Sequence, residues 1–270
     1  MVQDGLTWET AFTKIQPAID LAARRGGEVW VAAGVYDEER EFIVPSLSDA
    51  DFNLGSISLH DRVSLYGGFN GTETLLTERD PTANETILDG SEARDGGPAL
   101  HVVVLGDKTV LNGFTIRGGR SSEFEQSFTQ YQVSQGGGIY AADVSAAIAH
   151  CIFEDNLAVD VPGGPAPDGD SVFAERSRLS FHECLFRNHT GDFTARFDAS
   201  HVTLSEVEFL NNFGGINAPD TEVHIRDSVF RNTMFSAVSI QARDTAPHSV
   251  QRTRFENNFR ALEVEGSAWV

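Results

Sequence analysis

Lysine is nearly missing from this chain. Lys14 and Lys108 stand against eighteen arginines, and with 40 acidic residues the formal charge is −20. A field of that sign repels nucleic acid and anionic membrane, so neither is expected as a partner. A low-lysine, acid-rich surface suits a chain that must stay soluble outside the cell or in high salt. A GC-rich genome favouring arginine codons would leave the same bias. Cysteine is as scarce: Cys151 and Cys184, two in 270 residues, make no disulfide framework. Long apolar runs are absent too, and none approaches the roughly 18–20 residues that span a bilayer. Met1 to Gly5 has neither the charged nor the apolar part of an export signal. Export is therefore expected only if the true start lies upstream.

What is present is a repeat. Hydrophobic residues make up 40% of the chain, enough for a sizeable core in one domain. Five segments align: Ala147 to Asn156, Ser180 to His189, Thr203 to Asn212, His224 to Thr233 and Ser249 to Asn258. They share Phe153, Phe186, Phe209, Phe230 and Phe255, at spacings of 33, 23, 21 and 25, and Ile116 fills the same slot 37 residues before Phe153. The basic period is about 22 residues.

Alternation within one copy gives the strands. Val202 and Leu204 are apolar with period two, then Val207 and Phe209 alternate on the opposite parity. Side chains of a strand flip at every residue, so a parity change marks a corner. A third short strand completes each copy, with inward pairs Ile139/Ala141, Val172/Ala174, Ala195/Phe197, Ile216/Ala218, Val238/Ile240 and Leu262/Val264. The expected fold is all-β, a single-stranded parallel β-helix with three short strands per coil. One coil cannot bury its own apolar row, whereas coils stacked about 4.8 Å apart make each row an internal ladder. Leucine-rich repeats would need a helix in every period, which the β-branched, period-two segments do not supply. Two residues after each phenylalanine stands Asp155, Asn188, Asn211, Asn232 or Asn257, residue types that accept left-handed backbone and suit a tight corner.

The chain is expected to be one domain, 1–270, in three stretches. Residues 1–27 form an amphipathic capping helix, with Thr7 as N-cap and Trp8, Phe12, Ile15, Ile19 and Ala22 on its inner face. Residues 28–108 form irregular coils and 109–270 regular ones. No cap follows the last strand before Trp269-Val270, so a fragment truncated at its C-terminus is expected.

Asp4 to Trp8, Val29 to Tyr36, Leu65 to Glu73, Arg79-Asp80, Thr86 to Gly90, Gly113 to Ile116 and Gly136 to Tyr140 together resemble bacterial right-handed parallel β-helix repeat proteins of pectin-lyase-like fold. The resemblance spans most of the chain. It implies a right-handed helix and an extracellular or cell-surface location, and it supplies no catalytic residues. The polygalacturonase signature of Asp-Asp, His-Gly and Arg-x-Lys is missing, as are the Trp-Ile-Asp-His and Arg-x-Pro-x-x-Arg stretches of pectate lyases. Fold likeness alone does not make an enzyme. Two functions therefore compete: a non-catalytic surface protein that binds glycan or adheres, and a polysaccharide lyase or glycoside hydrolase.

Two insertions swell the repeat, Arg120 to Gln135 and Asp160 to Asp170, of roughly 15 and 11 extra residues. Both fall in the same corner of successive coils and must emerge side by side. Phe124, Phe128 and Tyr131 on the first, with Asp168 and Asp170 on the second, are the candidate ligand-binding residues. Aromatic faces stack on sugar C–H surfaces, and short acids accept sugar hydroxyls or hold Ca²⁺. The competing reading is that these loops fold back on the solenoid. A corner column, His150, Glu183, Glu206, Asp227 and Arg252, is either a paired-carboxylate site or a solvated corner neutralised at its ends. No cofactor is expected beyond a Ca²⁺ that loop acids could hold. Asp49-Ala-Asp51-Phe-Asn53 opens like a Ca²⁺ loop but places Gly55 one position late and His60 where glutamate belongs. A polysaccharide or cell-surface glycan is the expected partner.

Overall fold

A computed structural model describes residues 3–40, 42–43, 53–94, 96–121, 135–159, 168–241 and 247–265. Three eight-stranded sheets wrap one core. Each coil contributes a strand to sheet 3, then one to sheet 1, then one to sheet 2, as in Ala195–Asp198, His201–Ser205 and Glu208–Leu210. All pairings within the three sheets are parallel.

The register runs through the slots that the repeat predicts. In sheet 2 Tyr36, Leu88, Ile116, Phe153, Phe186, Phe209, Phe230 and Phe255 follow one another coil by coil. From Phe153 onward the rings are stacked, with centroids 4.6, 4.5, 4.8 and 5.3 Å apart. Sheet 1 brings Leu111, Ile148, Phe181, Leu204 and Ile225 inward, and sheet 3 brings Val103, Ile139, Val172, Ala195, Ile216 and Val238. All of these are buried. At the last described coil the cover thins: Phe255 is half-buried, and Leu262, in the inward slot after Val238, is exposed. Cys151 and Cys184 are buried and free.

Among the described residues, the corners of the regular coils turn on one left-handed residue each. All sixteen non-glycine residues of positive φ among those described sit at corners, with φ between 47° and 63°. Asp155, Asn188, Asn211, Asn232 and Asn257 form the corner from sheet 2 to sheet 3, as their residue type predicts. The other two corners mix aspartate with residues whose type does not reveal the turn. His150, Glu183, Glu206, Asp227 and Arg252 turn from sheet 1 to sheet 2, and Lys108, Asp143, Arg176, Ala199 and Asp220 from sheet 3 to sheet 1. Left-handed backbone costs such residues about 1–2 kcal/mol each. The backbone N–H of each up to Asp227 is still satisfied by the next coil, as from Glu183 to Ser205 and from Glu206 to Arg226.

Behind the asparagine corner lies a second, buried row. Asn212 Nδ2 donates to the Phe186 carbonyl at 2.9 Å while its Oδ1 accepts from the His189 N–H at 3.0 Å. Asn156 and Asn258 repeat this arrangement. Here the outer column bonds side chain to side chain, Asn232 to Asn211 at 2.8 Å, and the inner one satisfies backbone.

The N-terminal cap differs from the expected single helix. Thr7 caps only a 3₁₀ turn, Trp8–Thr10, by accepting from the Thr10 N–H. The α-helix, α1, starts at Ile15 and ends at Ala23. Pro17 is the reason: in a helix running on from Trp8 its ring would meet the carbonyl of Thr13, whereas in a first turn it is harmless. Ile15 and Ile19 of α1 are buried in the shared core with Val29, Leu59 and Leu65. Gly26, at φ 72°, then turns the chain into the first strand of sheet 1, Gly27–Ala32.

Candidate functional site

The insertions leave and re-enter the solenoid as neighbours. Arg120–Ser121 pairs in parallel with Leu157–Ala158 where they leave. The Gly136 N–H donates to the Gly169 carbonyl at 2.9 Å where they return. Gly119 is required at the first stem, since a Cβ there would lie 1.8 Å from the Gly137 carbonyl oxygen. The insertions are shorter than the sequence boundaries drawn for them. Ser121, Gln135, Asp168 and Asp170 are buried and belong to the solenoid wall, because a stem so close to its neighbour must pair its backbone. Phe124, Phe128 and Tyr131 lie outside the described residues, as do Asp49, Asp51 and Asp160.

Asp168 and Asp170 spend their oxygens on neighbouring protein groups. Asp168 accepts from the Gly169 N–H at 3.0 Å, from Arg196 at 3.1 Å and from the Asn217 amide at 2.6 Å. Asp170 accepts from the backbone N–H groups of Ala158 at 2.9 Å and Gly191 at 2.6 Å. Burial pushes Asp168 up to about 6 and Asp170 to about 7, against these hydrogen bonds. Between the stems, Tyr140 and Phe173 point outward from sheet 3 on adjacent coils, stacked at 5.8 Å. They are nevertheless 7% and 4% exposed, and His101 packs on Tyr140 at 4.9 Å. Sequence reasoning passed over this pad. The available signal was two large aromatics at outward parity directly after the two insertions.

The corner column resolves into local ion pairs: His150 with Glu183 at 3.0 Å, and Arg252 with both oxygens of Asp227. Between adjacent coils on sheet 2, Arg187 pairs with Glu154 and Arg231 with Glu256. These are solvated surface pairs, each of small consequence.

A groove the sequence did not reveal opens at the N-terminal end. It holds about 870 Å³ and is walled by Trp8, Phe12, Trp30 and Tyr36, with Glu28 and Lys14 among its polar groups. Buried Phe69 forms its anchor: Trp30 stacks on it at 4.7 Å, and Trp8 tilts against it at 5.5 Å. The indole N–H groups are held by the Glu73 carbonyl and the Glu28 carboxylate, at 2.9 and 3.1 Å. Glu73 spends its carboxylate on the backbone N–H groups of Asn70, Gly71 and Thr72. Asp4 accepts from the Leu6 N–H and the Thr10 hydroxyl through a single oxygen. Three segments quoted for the family resemblance, 4–8, 29–36 and 65–73, thus converge on one concave aromatic surface.

With that geometry in place, comparison with known proteins fixes the family. The family described as right handed beta helix region matches residues 106–268. The chain belongs to that family. Among solved structures, this right-handed β-helix is similar to a pectin methylesterase mutant in complex with a hexasaccharide, at 11% identity. The alignment covers 96% of this chain and 89% of that one, with a TM-score of 0.34. It is similar also to the pectin methylesterase PemA from Erwinia chrysanthemi, at 11% identity over 100% and 89% of the two chains, TM-score 0.32. At that distance no chemistry passes from those enzymes to this β-helix. No curated protein matches the sequence. Among the described residues no helix is long and apolar enough to cross a membrane.

Proposed function

We propose that this β-helix is a secreted or cell-surface protein that binds glycan without cleaving it. The observation that carries the reading is the N-terminal groove. Four aromatic side chains line it, two of them, Trp8 and Trp30, packed on Phe69, and they present faces of the kind that stack on sugar rings. Rigid aromatics lose little entropy on binding, which favours a ready-made platform. Of the acids lining it, Glu28 accepts from the Trp30 indole N–H, and Asp4 and Glu73 are engaged with backbone and hydroxyl donors, so among the described residues the groove presents no pair of carboxylates set for acid–base work. The strong negative charge favours neutral over anionic chains.

The test is a neutral and acidic glycan array, followed by calorimetry on any hit. Trp30→Ala is expected to weaken binding at least about tenfold. Binding that survives Trp30→Ala and is lost on deleting residues 123–133 would return the site to the insertion edge, with Phe124, Phe128 and Tyr131. The enzymatic alternative is favoured by one observation only, the raised pKa values of Asp168 and Asp170 beneath that edge. Depolymerisation of a polysaccharide, abolished by Asp170→Asn, would establish it in place of simple binding.

A further inference from the structure

Five of the eight histidines lie in or beside sheet 1, and three residues there form a compact donor set. His201 opens the strand His201–Ser205, and Glu222 and His224 lie on the next strand, Glu222–Arg226. His201 and Glu222 are register partners in adjacent coils. Glu222 and His224, two residues apart, project from the same face. The inward residues of these strands are Val202, Leu204, Val223 and Ile225, so the three side chains stand on the outer face. One carboxylate bridges both rings: Oε2 meets His201 Nδ1 at 2.8 Å and Oε1 meets His224 Nε2 at 2.8 Å. The far nitrogen of His224 is held by the Ser249 hydroxyl at 2.8 Å, from the coil below.

We propose that His201, Glu222 and His224 bind a divalent transition-metal ion of the zinc class. Two imidazoles and one carboxylate are a zinc donor set that leaves a fourth position for water. The three donor atoms lie within 4.8 Å of one another. Metal–donor bonds of about 2.0–2.2 Å therefore need closure of roughly an ångström, with each imidazole ligating as the neutral ring whose N–H lies on the nitrogen away from the ion. The backbone needs no rearrangement, because both strands are fixed in the sheet. Ser249 fulfils the orienting role that a metal-bound histidine needs at its other nitrogen. The side chains are 26%, 29% and 31% exposed, open to an ion yet partly shielded from water. Arg178 precedes His201 in the same column and Arg226 follows on the same face, so the donor set ends at three.

A second group, His182, Glu183 and Glu206, lies on the neighbouring coils. It is looser: His182 to Glu206 spans 3.9 Å, and its side chains are 42–54% exposed. It serves as the internal control.

The experiment is a Zn²⁺ titration of the purified chain by calorimetry near neutral pH, paralleled by Co²⁺ titration followed in the visible. One equivalent is expected, with the intense cobalt bands of a four- or five-coordinate site. His201→Ala and His224→Ala should each lower affinity at least about tenfold, and Ser249→Ala about tenfold through loss of orientation. His182→Ala should leave affinity unchanged. These side chains stand outside the core, and unchanged circular dichroism and melting would show that each variant is folded. Zinc binding by the folded His224→Ala variant equal to that of the parent would overturn the proposal. So would loss of the equivalent in His182→Ala alone, or no binding and no cobalt spectrum in the parent.

Discussion

Replacing Phe209 by alanine tests the central ladder. Its ring is fully buried between Phe186 at 4.5 Å and Phe230 at 4.8 Å, and its Cα partners are those same residues. A buried phenylalanine cut to alanine costs about 3–5 kcal/mol through lost transfer energy and the cavity left behind. Two stacked partners are lost at once, and a parallel sheet cannot close along its axis without breaking ladder hydrogen bonds. The cost should therefore fall in the upper half, about 4–5 kcal/mol. Phe255 has a stacked partner on one side, at 5.3 Å, and is half-buried. Its truncation should cost about 1–2 kcal/mol. Phe209→Leu should cost about 1–2 kcal/mol, since Leu88 and Ile116 fill the same slot in earlier coils. Urea unfolding followed by circular dichroism gives the totals. Native-state hydrogen exchange is the sharper assay, because stacked repeats open locally and need not unfold in two states. Lost protection should centre on residues 185–231. A Phe209→Ala cost below about 2 kcal/mol, or one equal to that of Phe255→Ala, would refute the reasoning.

Asn212→Leu should cost about 2–4 kcal/mol, because it strands the Phe186 carbonyl and the His189 N–H; Asn211→Gly, at the exposed left-handed corner beside it, should be nearly neutral in the same thermal melt. Burial holds His101 and His189 near 4, so acidification below about pH 6.5 destabilises the fold, the unfolded chain taking up protons that the native one refuses. Asp168 and Asp170, raised to about 6 and 7, act in the opposite sense: their contribution is complete in acid and is lost as pH rises through those values. Between pH 7 and 5 the two pairs nearly cancel, and the His101→Gln/His189→Gln double variant should instead gain about 2–4 kcal/mol on acidification, read from urea midpoints across pH. A gain absent from that variant would mean that the two aspartates are not protonated in this window. Cys151 and Cys184 should give no reaction with a thiol reagent in the native state and two equivalents in denaturant without reductant; fewer than two would reveal a disulfide.

The solenoid was legible because inward and outward residues differ in polarity and each corner changes the parity. Phe153 to Phe255 could be placed in one slot from spacing alone. The corners at Glu183, Glu206, Arg176 and Ala199 were not legible as left-handed, since their backbone is dictated by the stacked coils and not by their own preferences. The break before Ile15 could have been read from Pro17. The N-terminal groove could not: it joins Trp8, Trp30 and Phe69 from segments whose first coils lack the regular period. The His201–Glu222 pairing was readable once the 21-residue step from Phe209 to Phe230 was applied to the neighbouring strand, because 201 and 222 are separated by the same 21 residues.

The left-handed corners divide labour along the chain. Most of these corners donate their N–H onward, and glutamate, histidine, arginine, lysine, alanine, aspartate and asparagine all occur among them. Proline is barred there by its fixed negative φ and its missing N–H, and β-branched side chains by crowding. Nearly any other side chain can be exchanged without moving the core beneath it. The edges of the prism therefore act as interchangeable lettering on a fixed scaffold, where the charge pattern of the surface can be rewritten one coil at a time.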